Sequence, residues 1–283
     1  MVTIEKLIKD GLDIIEQREF NSPALDVELI LCYLLQKDRI YLHLNKKTQV
    51  SEDIKDKFYE LVQKRNEGYP LQYITNSQEF MDLNFYVQEG VLIPRPDTET
   101  LVEKVIEIAK KKYNNKIKIL DLGTGSGAIA VSLAYYLKNS VVTALDISEK
   151  SVETANINIK RHNLKNIKVI KANIFDFITR EKFHIIVSNP PYIERDTIKS
   201  LQTEVSVYEP RLALDGGEDG LDYYRRIVEL FAELHEKKGV LVVEIGYEQK
   251  KSVEEIFLNS KLFKEIKTYK DLSGKDRVVC GMT

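Results

Sequence analysis

The sequence predicts an α/β protein in which a small all-α bundle and a β-hairpin linker precede a doubly wound, mostly parallel sheet with an antiparallel edge strand. Three observations lead to this fold class. Residues 1–75 show only helical periodicity, residues 76–93 alternate loosely, and from residue 94 onward short apolar runs alternate with amphipathic helices. A chain of 283 residues has room for two domains. We therefore predict a bundle at 1–75, a hairpin at 76–93 and the sheet domain at 94–283.

The bundle is predicted from three apolar stripes at helical spacing. The first runs from Ile4 to Ile15. The second follows Ser22 and Pro23, because serine is a common cap and proline is favoured at the first helical position. Ser51 caps the third, and the acidic residues after it suit the helix dipole. The segment carries no chemical motif, so the sequence leaves open whether it is a packing module or a docking module.

A further helix begins just after the linker. Pro94 and Pro96 keep the chain extended, and Asp97 or Thr98 can cap the helix that follows. The lysine run 110–112 falls in the last turn of this helix, where positive charge suits the dipole. We interpret that run as a solvated helix end rather than as a nucleic-acid patch.

The remaining chain alternates between strand and helix patterns, which predicts parallel strands joined by crossover helices. Strands are predicted at 117–121, 141–146, 167–171, 183–188, 239–245, 263–269 and 277–281. Helices are predicted near 126–138, 149–162, 219–237 and 248–259. The last two strands lie too close together for a crossover helix, so we expect them to pair antiparallel at the sheet edge.

Composition limits the classes of function. The formal net charge is −2, which gives no overall attraction to nucleic acid or to an anionic membrane. The two cysteines, Cys32 and Cys280, are expected to be reduced in a cytoplasmic protein. The N-terminus mixes charges into its apolar pattern, unlike a signal peptide, and no apolar run reaches the ~18 residues of a membrane span. The four histidines do not pair at metal-ligand spacing, so no metal site is expected.

A glycine-rich turn, "DLGTGSG", joins the first predicted strand of the sheet to a helix. Gly123, Gly125 and Gly127 permit a tight turn and the close approach of a ligand, and the helix N-terminus offers unpaired N–H groups. The same turn fits the dinucleotide pattern through Ala128, so NAD stays open as a ligand. A purely structural turn is the other alternative.

Further candidate ligand-binding residues follow the first three strands of the sheet. Asp146 can accept hydrogen bonds from both hydroxyls of a ribose, although it could instead cap the next helix. Asp121 could orient the glycine loop or meet the ammonium group of a cofactor. In "KANIFD", Asn173 could bond the edge of an adenine, and Ile174 or Phe175 could cover its face, with ordinary loop packing as the alternative.

The fourth strand ends in "NPPY", which we interpret as a substrate site. Prolines donate no N–H but keep their carbonyls, so Asn189 Oδ1 and the Pro190 carbonyl can present two acceptors at fixed spacing. Pro191 makes the turn rigid, and Tyr192 adds a flat face. The complementary group is planar with two N–H donors: a primary amide or an exocyclic amino group.

These motifs resemble those of class I S-adenosylmethionine-dependent methyltransferases that act on amino groups. With "PRPDTE", "YEPRLALDGGEDGLD", "EIG" and "DLSGKDRVV", nearly the whole chain resembles the HemK/PrmC family of release-factor glutamine N5-methyltransferases. The resemblance implies a Rossmann-like class I methyltransferase sheet. It also implies a glutamine substrate in the Gly-Gly-Gln loop of class I release factors 1 and 2, and the cofactor S-adenosyl-L-methionine, which leaves S-adenosyl-L-homocysteine.

The resemblance implies that the glycine loop 123–127 and Asp146 bind the cofactor and that residues 189–192 bind the glutamine amide, and the other candidates come from their places in the sequence. The cofactor-binding set would be Asp121, Gly123, Thr124, Gly125, Ser126, Gly127, Asp146, Asn173, Ile174 and Asn189. The catalytic set would be Asn189, Pro190 and Tyr192, and the substrate-binding set Asn189, Pro190, Pro191, Tyr192, Arg95 and Glu209. Arg95 and Glu209 could instead form a buried scaffolding ion pair. Some members carry an aromatic residue where this chain has Ile174.

We thus expect a cytoplasmic, monomeric enzyme whose bundle grips the release factor, with no direct nucleic-acid or membrane partner. An adenine-N6 nucleic-acid methyltransferase is the alternative, because it would share "NPPY". A non-catalytic adaptor that binds the cofactor for stability and an NAD-dependent oxidoreductase are further alternatives.

Overall fold

The computed structural model describes residues 2–18 and 21–283. The chain divides into two compact units. The first unit comprises residues 1–77 and 202–208, and the second comprises residues 78–201 and 209–283. None of the helices in the described part of the chain combines the length and apolar character needed to span a bilayer.

The first unit is a helical bundle with a small antiparallel ladder of β1 (Val2–Thr3) and β2 (Gln49–Val50). Its helices are α1 (Ile4–Ile14), α2 (Pro23–Leu35), α3 (Arg39–Leu44), α4 (Glu52–Asn66), α5 (Leu71–Thr75) and, further along the chain, α9 (Thr203–Ser206). Ser51 caps α4 by accepting from Ile54 N at 3.4 Å, as predicted. Ser22 makes no side-chain capping bond, although Pro23 does begin α2.

Apolar packing and one buried cation hold the first unit together. An added Cβ at Gly11 would lie 2.9 Å from atoms of Val27 and Phe58, so α1 packs closely on α2 and α4. Arg65 is buried and pairs with Asp26 at 2.6 Å and with Glu204 at 2.5 Å. Removing one partner of such a buried pair leaves an uncompensated charge. The Glu204 contact explains why residues 202–208 group with the bundle.

The second unit contains a hairpin and a seven-stranded sheet within residues 78–283. Its strands are β3 (Gln78–Phe80), β4 (Leu83–Phe85), β5 (Ile117–Leu122), β6 (Ser140–Asp146), β7 (Ile167–Lys171), β8 (Phe183–Ser188), β9 (His235–Glu244), β10 (Glu265–Lys270) and β11 (Asp276–Met282). Its α-helices are α6 (Glu99–Lys112), α7 (Ala128–Tyr136), α8 (Glu149–Arg161), α10 (Asp222–Leu234) and α11 (Lys250–Ser260). Short 3₁₀ turns occur at Pro96–Thr98, Arg195–Ser200 and Arg211–Ala213.

The sheet order confirms the predicted doubly wound fold. The strands run in the order β10-β11-β9-β8-β5-β6-β7, and β9, β8, β5, β6 and β7 are parallel. At one edge β11 pairs antiparallel with both β9 and β10. Successive residues of a strand pack against the helix layers on opposite faces of the sheet, because strand side chains alternate between the two faces. Ile185 and Val187 pack with α6 and α7, whereas Ile186 packs with α10 and α11.

Most predicted bounds agree within two residues, and two segments differ most from the predictions. The hairpin ladder spans only residues 78–85 of the predicted 76–93 linker, because Tyr86 N and O bond to the Asn158 side chain at 2.7 and 2.9 Å instead of continuing the ladder. The helix predicted at 219–237 ends at Leu234, and residues 235–238 already belong to β9. The charged residues at 236–238 are partly or fully exposed at the start of that strand, and glutamate and lysine also favour helices.

Candidate active site

A cavity opens where the carboxyl ends of β5, β6 and β8 meet. Its wall includes Gly123 and Gly125 after β5, Asp146 at the end of β6, and Asn189 and Pro190 after β8. It also includes Leu92, Ile147, Pro210, Leu212 and Tyr223. The chain order reverses between β5 and β8, and open α/β sheets bind ligands at this kind of switch point.

The structure brings about half of the candidate site residues to this wall. On the wall lie Gly123, Gly125, Asp146, Asn173, Ile174, Asn189, Pro190 and Pro191. Away from it lie Arg95, Asp121, Thr124, Ser126, Gly127, Tyr192 and Glu209. The second group surrounds and supports the first. Within residues 2–18 and 21–283, no three His, Cys, Asp or Glu side chains cluster as metal ligands would.

The glycine turn exposes its backbone to the cavity at two positions. An added Cβ at Gly123 or Gly125 would meet no atom within 4 Å, and both residues have positive φ. Gly127 serves packing instead, since its Cβ would lie 3.0 Å from Ala155 Cβ on α8. Thr124 and Ser126 are buried. A ligand in the cavity can therefore approach the backbone at Gly123 and Gly125, but not along the whole run 123–127.

Asp121 holds the glycine turn through a hydrogen bond from its third following residue, Thr124. It is fully buried, and its Oδ2 accepts from Thr124 Oγ1 at 2.7 Å. Its Oδ1 has no hydrogen-bond partner among the described residues. Of the two roles considered from the sequence, this contact favours loop orientation over direct contact with a ligand.

Replacing Asp121 by asparagine is expected to flatten the dependence of stability on pH. Burial raises the pKa of Asp121 from 3.8 to about 7 in the folded protein, so folding favours the protonated acid. The resulting stabilisation is complete below 3.8 and is lost as the pH rises through about 7. The melting temperature of the parent should fall more steeply across this window than that of Asp121→Asn. Parallel melting curves measured by circular dichroism would contradict this.

Asp146 holds the glycine turn and faces the cavity. Its Oδ2 accepts from Gly125 N at 2.8 Å and its Oδ1 from Ser148 N at 2.9 Å. The cap of α8 is Ser148, whose hydroxyl accepts from Ser151 N at 3.3 Å. Burial raises the pKa of Asp146, while the backbone donors of Ser148, Gly125 and Ile147 and the Ser151 side chain act in the opposite direction. Each oxygen keeps a second lone pair for a ligand hydroxyl.

The loop after β7 supplies an apolar part of the wall. Asn173 Oδ1 accepts from Phe175 N at 3.0 Å, and Asn173 Nδ2 donates to Asp176 Oδ2 at 3.0 Å. Ile174 is buried on the wall. Tyr223, which lies in none of the candidate binding motifs, lines the same cavity and packs edge-on against Phe175 with ring centroids 5.3 Å apart. An aliphatic and an aromatic side chain thus share this side of the cavity.

The loop after β8 places two acceptors at the cavity. Asn189 Nδ2 donates to Thr98 Oγ1 at 3.2 Å, so Oδ1 is the amide atom left for a ligand. The described part of the chain provides no donor to the Pro190 carbonyl. Thr98 makes no capping bond to α6, contrary to its role predicted from sequence, because its hydroxyl is engaged here.

Tyr192 packs into the protein rather than onto the cavity. Burial raises its pKa to about 12. Its carbonyl accepts from Gln249 Nε2 at 2.9 Å, and the same amide donates to Gly220 O at 3.2 Å. Gln249 Oε1 accepts from Gly246 N at 3.0 Å. One side-chain amide, which sequence motifs did not reveal, therefore joins three loops behind the site.

Replacing Gln249 by glutamate is expected to lower the free energy of unfolding by about 3 kcal/mol, because a carboxylate would face two carbonyl oxygens. The methionine variant has similar length and no charge, so its loss should be about 1–2 kcal/mol. Urea unfolding measures both values. Equal stabilities of the two variants would show that the side chain does not hold these carbonyls.

Arg95 and Glu209 form an ion pair beside the site. Arg95 Nη2 lies 2.5 Å from Glu209 Oε1, and the Glu209 side chain is buried whereas that of Arg95 is partly exposed. Neither lines the cavity, but Pro210, the next residue, does. The pair therefore anchors the segment that carries Pro210 and Leu212, which agrees with the scaffolding role considered from the sequence.

Comparisons with known proteins give the family. A family model described as the PrmC N-terminal domain matches residues 6–75, and a methyltransferase domain model matches residues 113–279. The release factor glutamine methyltransferase of Clostridium botulinum is 40% identical over 98% of this chain and 98% of that protein. The enzyme of the same name from Clostridium acetobutylicum is 42% identical over 90% of this chain and 89% of that protein.

A solved structure supports the fold independently. The crystal structure of a methyltransferase from Pyrococcus furiosus aligns with a TM-score of 0.51 at 19% identity, covering 71% of this chain and 89% of that chain. At this identity the likeness concerns the fold alone. The resemblance read from the motifs is confirmed by the family models and the curated relatives, and the chain belongs to the release factor glutamine methyltransferase family.

Proposed function

We propose that this protein transfers a methyl group from S-adenosyl-L-methionine to the side-chain nitrogen N5 of the glutamine in the Gly-Gly-Gln motif of class I release factors. Family membership supports the reaction, since the curated relatives are named release factor glutamine methyltransferases. The observation that carries the proposal is the pair of acceptors, Asn189 Oδ1 and the Pro190 carbonyl, at the cavity.

The acceptor pair matches the chemistry of a primary amide. A glutamine side chain offers two N–H donors on one planar nitrogen, which two acceptors without donors can bind together. A glutamate carboxylate has no hydrogen to offer and would be repelled. Because the "NPPY" loop follows a buried strand and contains two prolines, the acceptors need little reorganisation during the reaction.

The same two acceptors also activate the nitrogen. An amide nitrogen is a weak nucleophile because its lone pair is delocalised into the carbonyl. When the two oxygens accept hydrogen bonds from both N–H groups, they favour a pyramidal nitrogen and stabilise the positive charge that builds on it. Each preorganised hydrogen-bonding group of this kind stabilises the transition state by about 3–4 kcal/mol. Holding the nitrogen in one orientation reduces the entropic part of the barrier further.

The residues near the glycine turn fit the cofactor. The open space beside Gly123 and Gly125 accommodates a ligand against bare backbone, and Asp146 keeps lone pairs for ribose hydroxyls. Ile174 and Tyr223 provide apolar cover for an adenine. When bound, the sulfonium would supply an electrophilic methyl group and leave as a neutral thioether without needing a proton, and the methylated nitrogen would then release one of its two protons to water.

We propose that the first unit docks the release factor. It carries the match to the PrmC N-terminal domain model, and the described residues of the unit contribute nothing to the cavity wall. We further propose that release factors 1 and 2 are both substrates and that the protein acts as a monomer in the cytoplasm. No direct contact with nucleic acid or membrane is required by this function.

Methyl-labelled cofactor tests the proposal. Incubation with a release factor, DNA and RNA in separate reactions should label the release factor alone. The acceptor pair also fits the exocyclic amino group of adenine, so label on nucleic acid would favour the adenine-N6 alternative. Absence of transfer to any substrate would leave the non-catalytic adaptor, and a thermal shift with NAD would favour the oxidoreductase.

A further inference from the structure

One buried side-chain amide joins the linker to the glycine turn. Asn158 lies on α8 with none of its surface exposed. Its Oδ1 accepts from Tyr86 N at 2.7 Å, and its Nδ2 donates to Tyr86 O at 2.9 Å and to Ser126 O at 2.8 Å. The amide oxygen and both amide hydrogens are thereby used, which fixes the orientation of the side chain. Asn158 thus holds the first residue after the hairpin and the middle of the glycine turn together.

The residues that follow the hairpin run along the same helix. Gln88 Nε2 donates to Thr154 Oγ1 at 2.8 Å, and Lys150 Nζ donates to Glu89 O at 3.3 Å. Lys150, Thr154 and Asn158 are spaced four residues apart, so they lie on one face of α8. The linker is therefore bound to α8 at three successive points.

The bound linker ends on the cavity wall. Gly90 and Leu92 line the cavity that the glycine turn also lines. The turn is itself held from two sides, because Asp146 accepts from one of its N–H groups at 2.8 Å and Asn158 donates to one of its carbonyls at 2.8 Å. A ligand in the cavity thus meets the turn and the linker together, and one amide holds both in place.

We propose that Asn158 is a positioning residue that couples the linker to the bound cofactor, an inference that rests on the cofactor site of the proposed function. Asn158 does not line the cavity, so it acts through the glycine turn and the linker. Such a coupling is reciprocal: if an ordered linker raises the affinity for the cofactor, the cofactor stabilises the ordered linker by the same factor. The linker is then a part of the wall that cofactor binding makes more rigid.

Calorimetry with S-adenosyl-L-homocysteine tests the coupling without any release factor. Asn158→Leu keeps the size of the side chain but removes three hydrogen bonds, and it should weaken binding about 10- to 30-fold. Gln88→Leu removes only one bond between the linker and α8, from a residue that does not line the cavity, and it should still weaken binding about threefold. Parental affinity in either variant would overturn the inference.

The matched control is Asn166→Leu. Asn166 Nδ2 also donates to two carbonyl oxygens, those of Ala134 at 3.0 Å and Ser140 at 3.2 Å. Ser140 begins β6, so these bonds lie at the amino edge of the sheet, away from the cavity. The control should lose stability in urea, as Asn158→Leu does, but bind S-adenosyl-L-homocysteine like the parent. A loss of affinity as large as that of Asn158→Leu would overturn the inference in favour of general destabilisation.

Hydrogen exchange followed by NMR measures the reciprocal effect on the parent protein, so it decides the inference even if Asn158→Leu does not fold. Saturating S-adenosyl-L-homocysteine should slow exchange of the Tyr86 amide about tenfold, because the ligand opposes opening of the linker. The Ser140 amide, which donates to Leu137 O at 2.9 Å at the amino edge, should not slow. Equal slowing at the two amides, or none at Tyr86, would overturn the inference.

These measurements separate the inference from the proposed function. If the linker responds to S-adenosyl-L-homocysteine but no methyl group reaches the release factor, the inference stands and the proposed function fails. If the parent methylates the release factor while Gln88→Leu keeps parental affinity, the proposed function stands and the inference fails. No binding of S-adenosyl-L-homocysteine to the parent would refute both. At saturating S-adenosyl-L-methionine, Gln88→Leu should recover most of the parental kcat, because the coupling acts on cofactor affinity.

Discussion

Asn189→Ala is expected to lower the rate of methyl transfer about 100- to 1,000-fold, because it removes one of the two preorganised acceptors that stabilise charge on the substrate nitrogen. The affinity for S-adenosyl-L-homocysteine should change by only a few fold, since Gly123, Gly125 and Asp146 remain in place. Single-turnover assays with labelled cofactor measure the rate, and calorimetry measures the affinity.

The matched control for this variant is Asn115→Ala. Asn115 is exposed and precedes β5, so it lies at the amino edge of the sheet, away from the cavity. This control should turn over like the parent. A normal rate in Asn189→Ala would refute the acceptor mechanism, whereas a comparable loss of cofactor affinity would place the role of Asn189 in cofactor binding.

Asp146→Ala is expected to weaken binding of S-adenosyl-L-homocysteine about 100-fold or more, because two hydrogen bonds to a charged acceptor are lost and each is worth about 1.5–3 kcal/mol. Part of the loss would come from the turn itself, since Asp146 also accepts from Gly125 N and Ser148 N. At saturating cofactor, kcat should fall much less than the affinity.

Two further variants sharpen the Asp146 test. Asp146→Asn keeps one oxygen acceptor and should lose less affinity than the alanine variant. Glu153→Ala removes an exposed carboxylate from α8 and should bind like the parent. Equal calorimetric dissociation constants for the parent and Asp146→Ala would exclude Asp146 from the cofactor site.

Local patterns predicted much of this fold because the signals are contiguous in sequence. A short buried apolar run such as 183–188 predicts a strand of a doubly wound sheet, and the observed strand has the same bounds. Segments with mixed signals were predicted less well. Residues 235–238 favour helices by composition but extend β9, and the hairpin stops at Phe85 because the backbone of the next residue, Tyr86, bonds to the Asn158 side chain. In both cases hydrogen bonds to segments distant in sequence decide the strand length.

The candidate site divides in the same way. Gly123, Asp146 and Asn189 lie in motifs whose geometry follows from a strand and the turn after it, so their places at the cavity could be predicted. Thr98 looked like a helix cap, and its contact with Asn189 depends on two segments that are distant in sequence. Gln249 has no motif and is recognised only by the three loops that it joins.

Tandem mass spectrometry of a release factor incubated with this protein and S-adenosyl-L-methionine tests the central claim most directly. The account predicts one methyl group, located on the side-chain nitrogen of the Gly-Gly-Gln glutamine, and its near absence when Asn189→Ala replaces the parent. A methyl group found on another atom or residue, or full modification of the glutamine by Asn189→Ala, would contradict the account.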